Sequence, residues 1–383
     1  MEQLSELILE KLNTLVVVVN EQGAVDYVNS SAAQILGYAP EQLLGDAWWD
    51  LTRSTDDEKR KLKLLTQKII RENNVEQLPY ERLLKTAKGK DKWILWNTTK
   101  GPGNTMVGIG YDITDRKIAE QKLQATNHFL SQRNTDMLQS IRYAQRIQQS
   151  ILPDKIKIEQ ALNGGFVLYK PKDIVSGDFY WYYERNECIY IAAIDCTGHG
   201  VPGAFMSVLA NSLLKKVVDN NVQEPAEILY RLDDELQNEL NGSNEYSSAD
   251  GMDIALCKID KSRNTLSFAG AFRPLVLVRL GEVIEYRGSR NPIGLYGDTK
   301  KVFEQLEIEL QKGDSLYLFS DGYVDQFGGE HYKKLNKSRF RELLLTMETM
   351  DIKEQEAFLE YALNNWKQQE EQTDDILVIG LKF

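Results

Sequence analysis

The chain has 383 residues, enough for two or three domains that each bury a core of their own. Hydrophobic residues make up 42% and charged residues 27%, a globular balance, and the longest early apolar run, Leu15 to Val19, is far too short to span a membrane. A net charge of −11 argues against nucleic acid as a partner, and three scattered cysteines (Cys188, Cys196, Cys257) make neither a disulfide framework nor a zinc cluster, so they read as buried free thiols. Glu2 and Glu6 stand where a signal peptide would carry basic residues, so none is expected and the cytoplasm is the expected location.

From the N-terminus, Val16 to Val19 is a β-branched run, Asn20-Glu21-Gln22-Gly23 a turn and Ala24 to Val28 a second strand, together a hairpin. Ser31 to Leu36 reads as a short helix closed by Gly37, and Pro40 opens another that Gly45 stops. Leu78 to Thr86, Lys92 to Thr99 and Met106 to Asp112 are three further strands, separated by Lys88-Gly89-Lys90 and Gly101-Pro102-Gly103. Nothing in this first third has the residues of a catalytic site.

That order of elements, with Leu36-Gly37-Tyr38, Pro40-Glu41-Gln42-Leu43-Leu44-Gly45, Gly108-Ile109-Gly110-Tyr111 and the exit Asp112-Ile113-Thr114-Asp115-Arg116, resembles a PAS domain. The resemblance implies a sensor or dimerisation module over residues 1–116. No cysteine precedes Cys188, which argues against a flavin–cysteinyl photosensor, and no histidine precedes His128, which argues against a histidine-ligated haem. Trp48, Trp49, Trp93 and Trp96 are expected in the core or on a dimer surface rather than around a small-molecule ligand, which stays the second option.

Residues 117–152 contain neither proline nor glycine. Leu123, Leu130, Met137, Ala144 and Ile151 recur every seven residues, with Ile141 at a partner position and Asn127, Asn134 and Gln148 at the other expected core positions. This imperfect heptad predicts one long helix, a coiled-coil linker pairing with its twin in a parallel homodimer whose seam the polar residues loosen. The alternative is a helix that packs on its own C-terminal domain.

Residues 153–383 alternate strands and helices and carry four acidic positions at strand ends. They are Asp178 in Ser176-Gly177-Asp178-Phe179-Tyr180, Asp195 in Asp195-Cys196-Thr197-Gly198-His199-Gly200, Asp321 in Ser320-Asp321-Gly322, and Asp374 in Thr373-Asp374-Asp375. Carboxylates without imidazole or thiolate select hard cations such as Mg²⁺ or Mn²⁺. Two such cations about 4 Å apart activate a water and clamp a phosphoryl group, which supports in-line hydrolysis without a covalent enzyme intermediate. Singly, each aspartate is as well explained as a turn residue; four on apolar strands of one domain point to a site.

These motifs, in this order, resemble those of the PPM metal-dependent phosphatases, and specifically their bacterial SpoIIE-like branch, over roughly Phe166 to Phe383. The resemblance implies an αββα sandwich of two antiparallel sheets, so the expected fold class is α+β: a PAS domain, a helical linker and a PPM-type C-terminal domain. It implies two Mn²⁺ or Mg²⁺ ions bridged by Asp178 and Asp195, with the Cys196 backbone carbonyl, Asp321 and Asp374 completing the ligand set, and Asp375 a neighbour with a lower claim. Ser176 replaces a glycine usual in the family, Thr197 a serine, and Asp253 stands where many relatives have threonine. Asp253 is either another carboxylate near the ions or a charge at a loop edge. His199 is either a general acid for the leaving seryl oxygen or a residue of a tight turn. Lys170 and Lys172 are candidates to steer the substrate anion.

The reading that follows is a metal-dependent protein-serine/threonine phosphatase acting on a phosphorylated regulatory protein, by analogy an anti-sigma-factor antagonist, under control of the PAS domain and a small-molecule or protein signal. Membrane and nucleic acid are not expected partners. The rivals are a non-catalytic scaffold that binds a partner through the same fold, and a nucleotide phosphodiesterase, which the lack of a Walker-type loop and of a histidine cluster disfavours.

Overall fold

The computed structural model describes residues 12–72, 74, 77–241, 250–294 and 301–383; Glu2 and Glu6 lie outside that set. The chain divides into two compact units, residues 1–134 and 135–383.

In the first unit β1 (Leu15–Val19) pairs antiparallel with β2 (Val25–Val28). The Asn20 side chain ties the turn between them, accepting hydrogen bonds from the Gln22 and Ala24 amides at 3.0 Å each. Helix α1 (Ser31–Ile35), a 3₁₀ turn (Pro40–Leu43), α2 (Ala47–Thr52) and α3 (Asp56–Arg71) follow. Strands β3 (Gln77–Lys85), β4 (Asp91–Lys100) and β5 (Met106–Asp112) complete an antiparallel sheet of order β2-β1-β5-β4-β3. The two-strand, helix, three-strand order is the expected one.

The 16-residue α3 was not foreseen. Its local signals are good: the Thr55 hydroxyl accepts from the Glu58 amide, acids fill the first turn, and Lys68 and Arg71 the last. Thr66 and Ile70 are buried, Leu62 and Ile69 pack partly buried against the core, and with Leu65 they form an i, i+3, i+4, i+7, i+8 stripe facing the sheet. Trp48, Trp49 and Trp96 are buried as core residues, with Trp48 and Trp96 edge to face at 6.0 Å. They also line a cavity, so the choice between core and ligand pocket was a false one for these three; Trp93 is not among its lining residues.

Helix α4 (Thr114–Ile151) begins where Asp112 accepts the Thr114 amide at 2.9 Å, and runs 38 residues. Leu123, Leu130 and Met137 are more than half exposed along it. Gln148 is not a seam residue. It is buried in the second unit, where its amide donates to the Ser176 carbonyl (2.6 Å) and the Ser207 hydroxyl (2.8 Å) and accepts from the Ser176 amide (3.2 Å). At this end, packing on the C-terminal domain is what the helix does, because a buried amide needs those partners.

The second unit continues with α5 (Lys155–Glu159), β6 (Gly165–Lys170), β7 (Asp178–Arg185), β8 (Cys188–Cys196), α6 (Gly200–Asp219), α7 (Pro225–Asn241), β9 (Met252–Asp260), β10 (Thr265–Ala271), β11 (Leu275–Arg279) and β12 (Glu282–Tyr286). It closes with β13 (Gln305–Glu309), β14 (Ser315–Phe319), α8 (Gly322–Asp325), the short pair β15 (Phe327–Gly328) and β16 (Lys333–Lys334), α9 (Asn336–Thr346), α10 (Ile352–Lys367) and β17 (Ile376–Lys382). Two antiparallel five-stranded sheets form, ordered β13-β10-β9-β8-β7 and β12-β11-β14-β17-β6.

Residues such as Ile191, Ala193, Phe268, Leu277, Leu316 and Ile379 fill the space between the sheets. On the outer face of the first sheet lie α6 and α7, and on that of the second α9 and α10. This is the expected αββα sandwich. Strands buried on both faces explain the near-continuous apolar runs of β8, β9, β14 and β17. Helix α6 is long and apolar enough to cross a membrane by composition, but here Ala210, Leu213, Leu214 and Val217 are core residues of the sandwich.

Candidate functional site

Three aspartates stand in one row across the first sheet. Asp178 opens β7 directly opposite Asp195 near the end of β8, and Asp195 is opposite Asp253 near the start of β9. The second sheet supplies the rest: Asp321 follows β14 and N-caps α8, and Asp374 lies two residues before β17. Since β14 and β17 are neighbours, their ends place both carboxylates at one edge of the sandwich. A cavity of about 360 Å³ there is lined by Asp195, Asp253, Asp321, Asp374, His199 and Arg273, among others. The structure therefore decides for Asp253 as a carboxylate of the cluster.

Close backbone crossings hold the row in place. A Cβ on Gly177 would lie 2.5 Å from the Gly198 carbonyl and 3.1 Å from that of Cys196, and one on Gly203 would lie 2.2 Å from the Gly198 carbonyl. Gly198 (φ 82°) and Gly200 (φ 65°) take the left-handed conformation that turns the chain from β8 into α6. Asp375 is buried and committed to backbone: it accepts the Lys172 amide at 2.7 Å and the Gly177 amide at 2.8 Å. It thus clamps the loop before Asp178 to the turn that carries Asp374.

Arg273, in the crossover from β10 to β11, escaped the sequence reading. Its Nη2 donates to Asp195 at 2.6 Å and Asp321 at 2.9 Å, and lies 3.2 Å from Asp253. Burial pulls its pKa down, and Asp195, Asp321 and Asp253 more than offset this, so it stays charged. Burial, followed by the charge of Asp195, holds Asp178 well above the usual carboxylate range. Asp195 is pushed up to about 7, mainly by burial, which outweighs the Arg273 contact. Burial also raises Asp253 and Asp374. So much carboxylate in so little water calls for positive charge.

An all-oxygen donor set suits hard cations, and the buried Asp178 Oδ2 has no hydrogen-bond partner among the described residues, as befits an atom meant for a cation. Among the described residues no group of three or more His, Cys, Asp or Glu is drawn together closely enough to hold a metal ion as it stands. The guanidinium of Arg273 lies within that cluster.

The other predicted residues lie at its margin. His199 N-caps α6, about half exposed, with Nδ1 2.9 Å from Asp173 Oδ2. Lys170 pairs with Glu360 of α10, while Lys172 is exposed and joins the site through its backbone amide. Cys196 is buried behind Asp195.

The family model for Stage II sporulation protein E (SpoIIE) matches residues 185–383. The chain belongs to the SpoIIE family. A PAS-domain model matches residues 13–115. The SpoIIE match takes in Asp195, Asp321 and Asp374 but begins after Asp178, whose place rests on its register with Asp195. The chain is similar to phosphoserine phosphatase RsbU of Bacillus subtilis (strain 168), 28% identical over 188 residues, which are 48% of this chain and 53% of RsbU. It is also similar to phosphoserine phosphatase RsbP of the same organism, 24% identical over 188 residues, 48% of this chain and 44% of RsbP. The chain thus spans about half the length of these curated relatives. Among solved structures, the SiaA-PP2C domain of Pseudomonas aeruginosa superposes with a TM-score of 0.60 at 34% identity, covering 65% of this chain and 98% of that domain.

Proposed function

We propose that this SpoIIE-family chain is a metal-dependent protein-serine/threonine phosphatase whose substrate is a phosphorylated regulatory protein, of the anti-sigma-antagonist kind, and whose PAS domain and helix α4 control it as a homodimer. The observation that carries the reading is the meeting of Asp178, Asp195, Asp321 and Asp374 from two sheets at one edge. The name phosphoserine phosphatase carried by RsbU and RsbP supplies the substrate class.

In this reading Asp178, Asp195, the Cys196 carbonyl, Asp321 and Asp374 would hold the Mn²⁺ or Mg²⁺ ions. Bound there, the ions supply Lewis-acid activation of water and neutralise phosphoryl charge. Arg273 offers a rigid fork of donors suited to phosphoryl oxygens once it leaves the carboxylates. With Nδ1 of His199 engaged by Asp173, its Nε2 is the nitrogen left to give a proton to the departing seryl oxygen. Lys172, exposed beside Asp375, adds positive charge for the incoming anion. Residues 117–152 form the linker, and the exposed Leu123, Leu130 and Met137 give it an apolar stripe for its twin.

The test is hydrolysis of p-nitrophenyl phosphate and of a phosphoserine peptide with Mn²⁺, with Mg²⁺ and with chelator, comparing wild type with Asp195→Asn and Asp321→Asn. Metal-dependent turnover lost in both variants is the expected result. Turnover unaffected by chelator or by either substitution overturns the proposal.

A further inference from the structure

The first unit encloses a cavity of about 340 Å³ between its sheet and helices α2 and α3, within the range of about 300–1,000 Å³ typical of small-molecule sites. Most of its wall is apolar or aromatic: Trp48, Trp49 and Trp96 with Val17, Leu62 and Met106. Its charged lining is one-sided, since Arg53 and Arg82 are present and no aspartate or glutamate is.

Arg53 is the unusual member. It is only 8% exposed, and a guanidinium carries five N–H donors. One of them, on Nη1, reaches the Leu83 carbonyl at 3.2 Å. Its Nε is buried with no hydrogen-bond partner, and Arg53 makes no ion pair among the described residues. The face of Trp49 lies 5.7 Å from its Cζ, which orients the group without neutralising it. Burial lowers its pKa to about 10, with Glu58 and then Arg82 acting on it in opposite senses. A buried, largely unpaired cation is costly to a fold unless something pairs with it. Arg82 stands exposed at the mouth, over the Tyr80 ring at 5.4 Å, where it reinforces the positive field along the way in.

We propose that this cavity binds a small apolar monocarboxylate, an aryl- or alkyl-alkanoate, whose carboxylate pairs with Arg53. The apolar tail lies against Trp48 and Trp96, and the carboxylate pairs with the guanidinium through charge-assisted hydrogen bonds. The two arginines and the lack of a lining carboxylate disfavour a cationic ligand. This names the chemistry of the signal left open above, and it stands whether or not the second unit is a phosphatase.

The experiment is isothermal titration of the full chain with 3-phenylpropionate, with octanoate and with the neutral isostere 3-phenylpropanamide, followed on the same samples by tryptophan fluorescence. Saturable one-to-one binding of at least one acid is expected, with the amide weaker by about tenfold or more, the worth of one charge-assisted pair. Arg53→Gln is expected to weaken the acid far more than the amide, so that the gap between the two closes. Should that variant fail to fold, the acid-to-amide ratio of the wild-type chain decides alone. An amide that binds as tightly as its acid, or the absence of binding by both acids, overturns the proposal. A preference between the two acids tells an aromatic signal from an aliphatic one.

Discussion

Arg273 and Asp195 meet at 2.6 Å although one lies in the crossover from β10 to β11 and the other near the end of β8, 78 residues away, and the same Nη2 reaches Asp321 at 2.9 Å. One guanidinium therefore ties a carboxylate of the first sheet to a carboxylate of the second. Without a cation at that point, buried aspartates would repel one another across the edge of the sandwich.

On the proposed metal-dependent reading, Arg273 is both a stabiliser and a competitor for metal. In chelator, Arg273→Ala is expected to destabilise the chain by about 1–2 kcal/mol, less than the 3–5 typical of a fully buried pair because the site is partly open. Saturating Mn²⁺ should recover most of that loss, and calorimetric Mn²⁺ affinity should rise in the variant. Equal loss in thermal midpoint with and without Mn²⁺ would mean that Arg273 is merely a packing residue.

Asp195→Asn and Asp321→Asn are expected to lower kcat for a phosphoserine peptide by at least about a hundredfold, as removal of a principal electrostatic group does. Asp253→Thr should leave more than a tenth of the activity, since the proposed ligand set does not require it. Steady-state assays at saturating Mn²⁺ check both, and a larger loss at Asp253 would move it into the metal-binding set.

Asp375 and Asp374 are adjacent and should fail differently. Asp375→Ala strips acceptors from the Lys172 and Gly177 amides and should cost about 2–3 kcal/mol of stability in urea denaturation. Asp374→Ala removes a partly open carboxylate and should cost less than about 1 kcal/mol while lowering Mn²⁺ affinity. The reverse order of stabilities would contradict the clamp.

Gln148 reaches the loop before Asp178 from the end of α4. Gln148→Leu should cost about 2 kcal/mol, for it leaves the Ser176 amide buried and unpaired. If α4 carries the signal, the same variant also loses the difference in activity between the full chain and residues 135–383. A stability loss with that difference intact would reduce Gln148 to a packing contact.

Much of the fold was legible in sequence because its causes are local. Asn20 and Gly23 mark the first hairpin, and long apolar runs mark β8, β14 and β17. Helix α3 was legible too, in the Thr55 cap and in Leu62, Leu65, Thr66, Ile69 and Ile70 at helical spacing among charged residues, although the order of elements drawn from sequence left it out. Gln148 differs, because a heptad count records spacing and is blind to which neighbour a face meets.

The sequence by itself determined that acidic residues stand at the ends, first or last, of apolar strands in a recognisable order, because strand, turn and glycine propensities act over a few residues. Only the tertiary structure decided that Asp253 joins the row, that Asp375 serves backbone amides, and that Arg273 stands among the carboxylates. Those outcomes depend on the register of two sheets and on a crossover between them. Register is set by packing over the whole sandwich, and no short stretch of chain contains it.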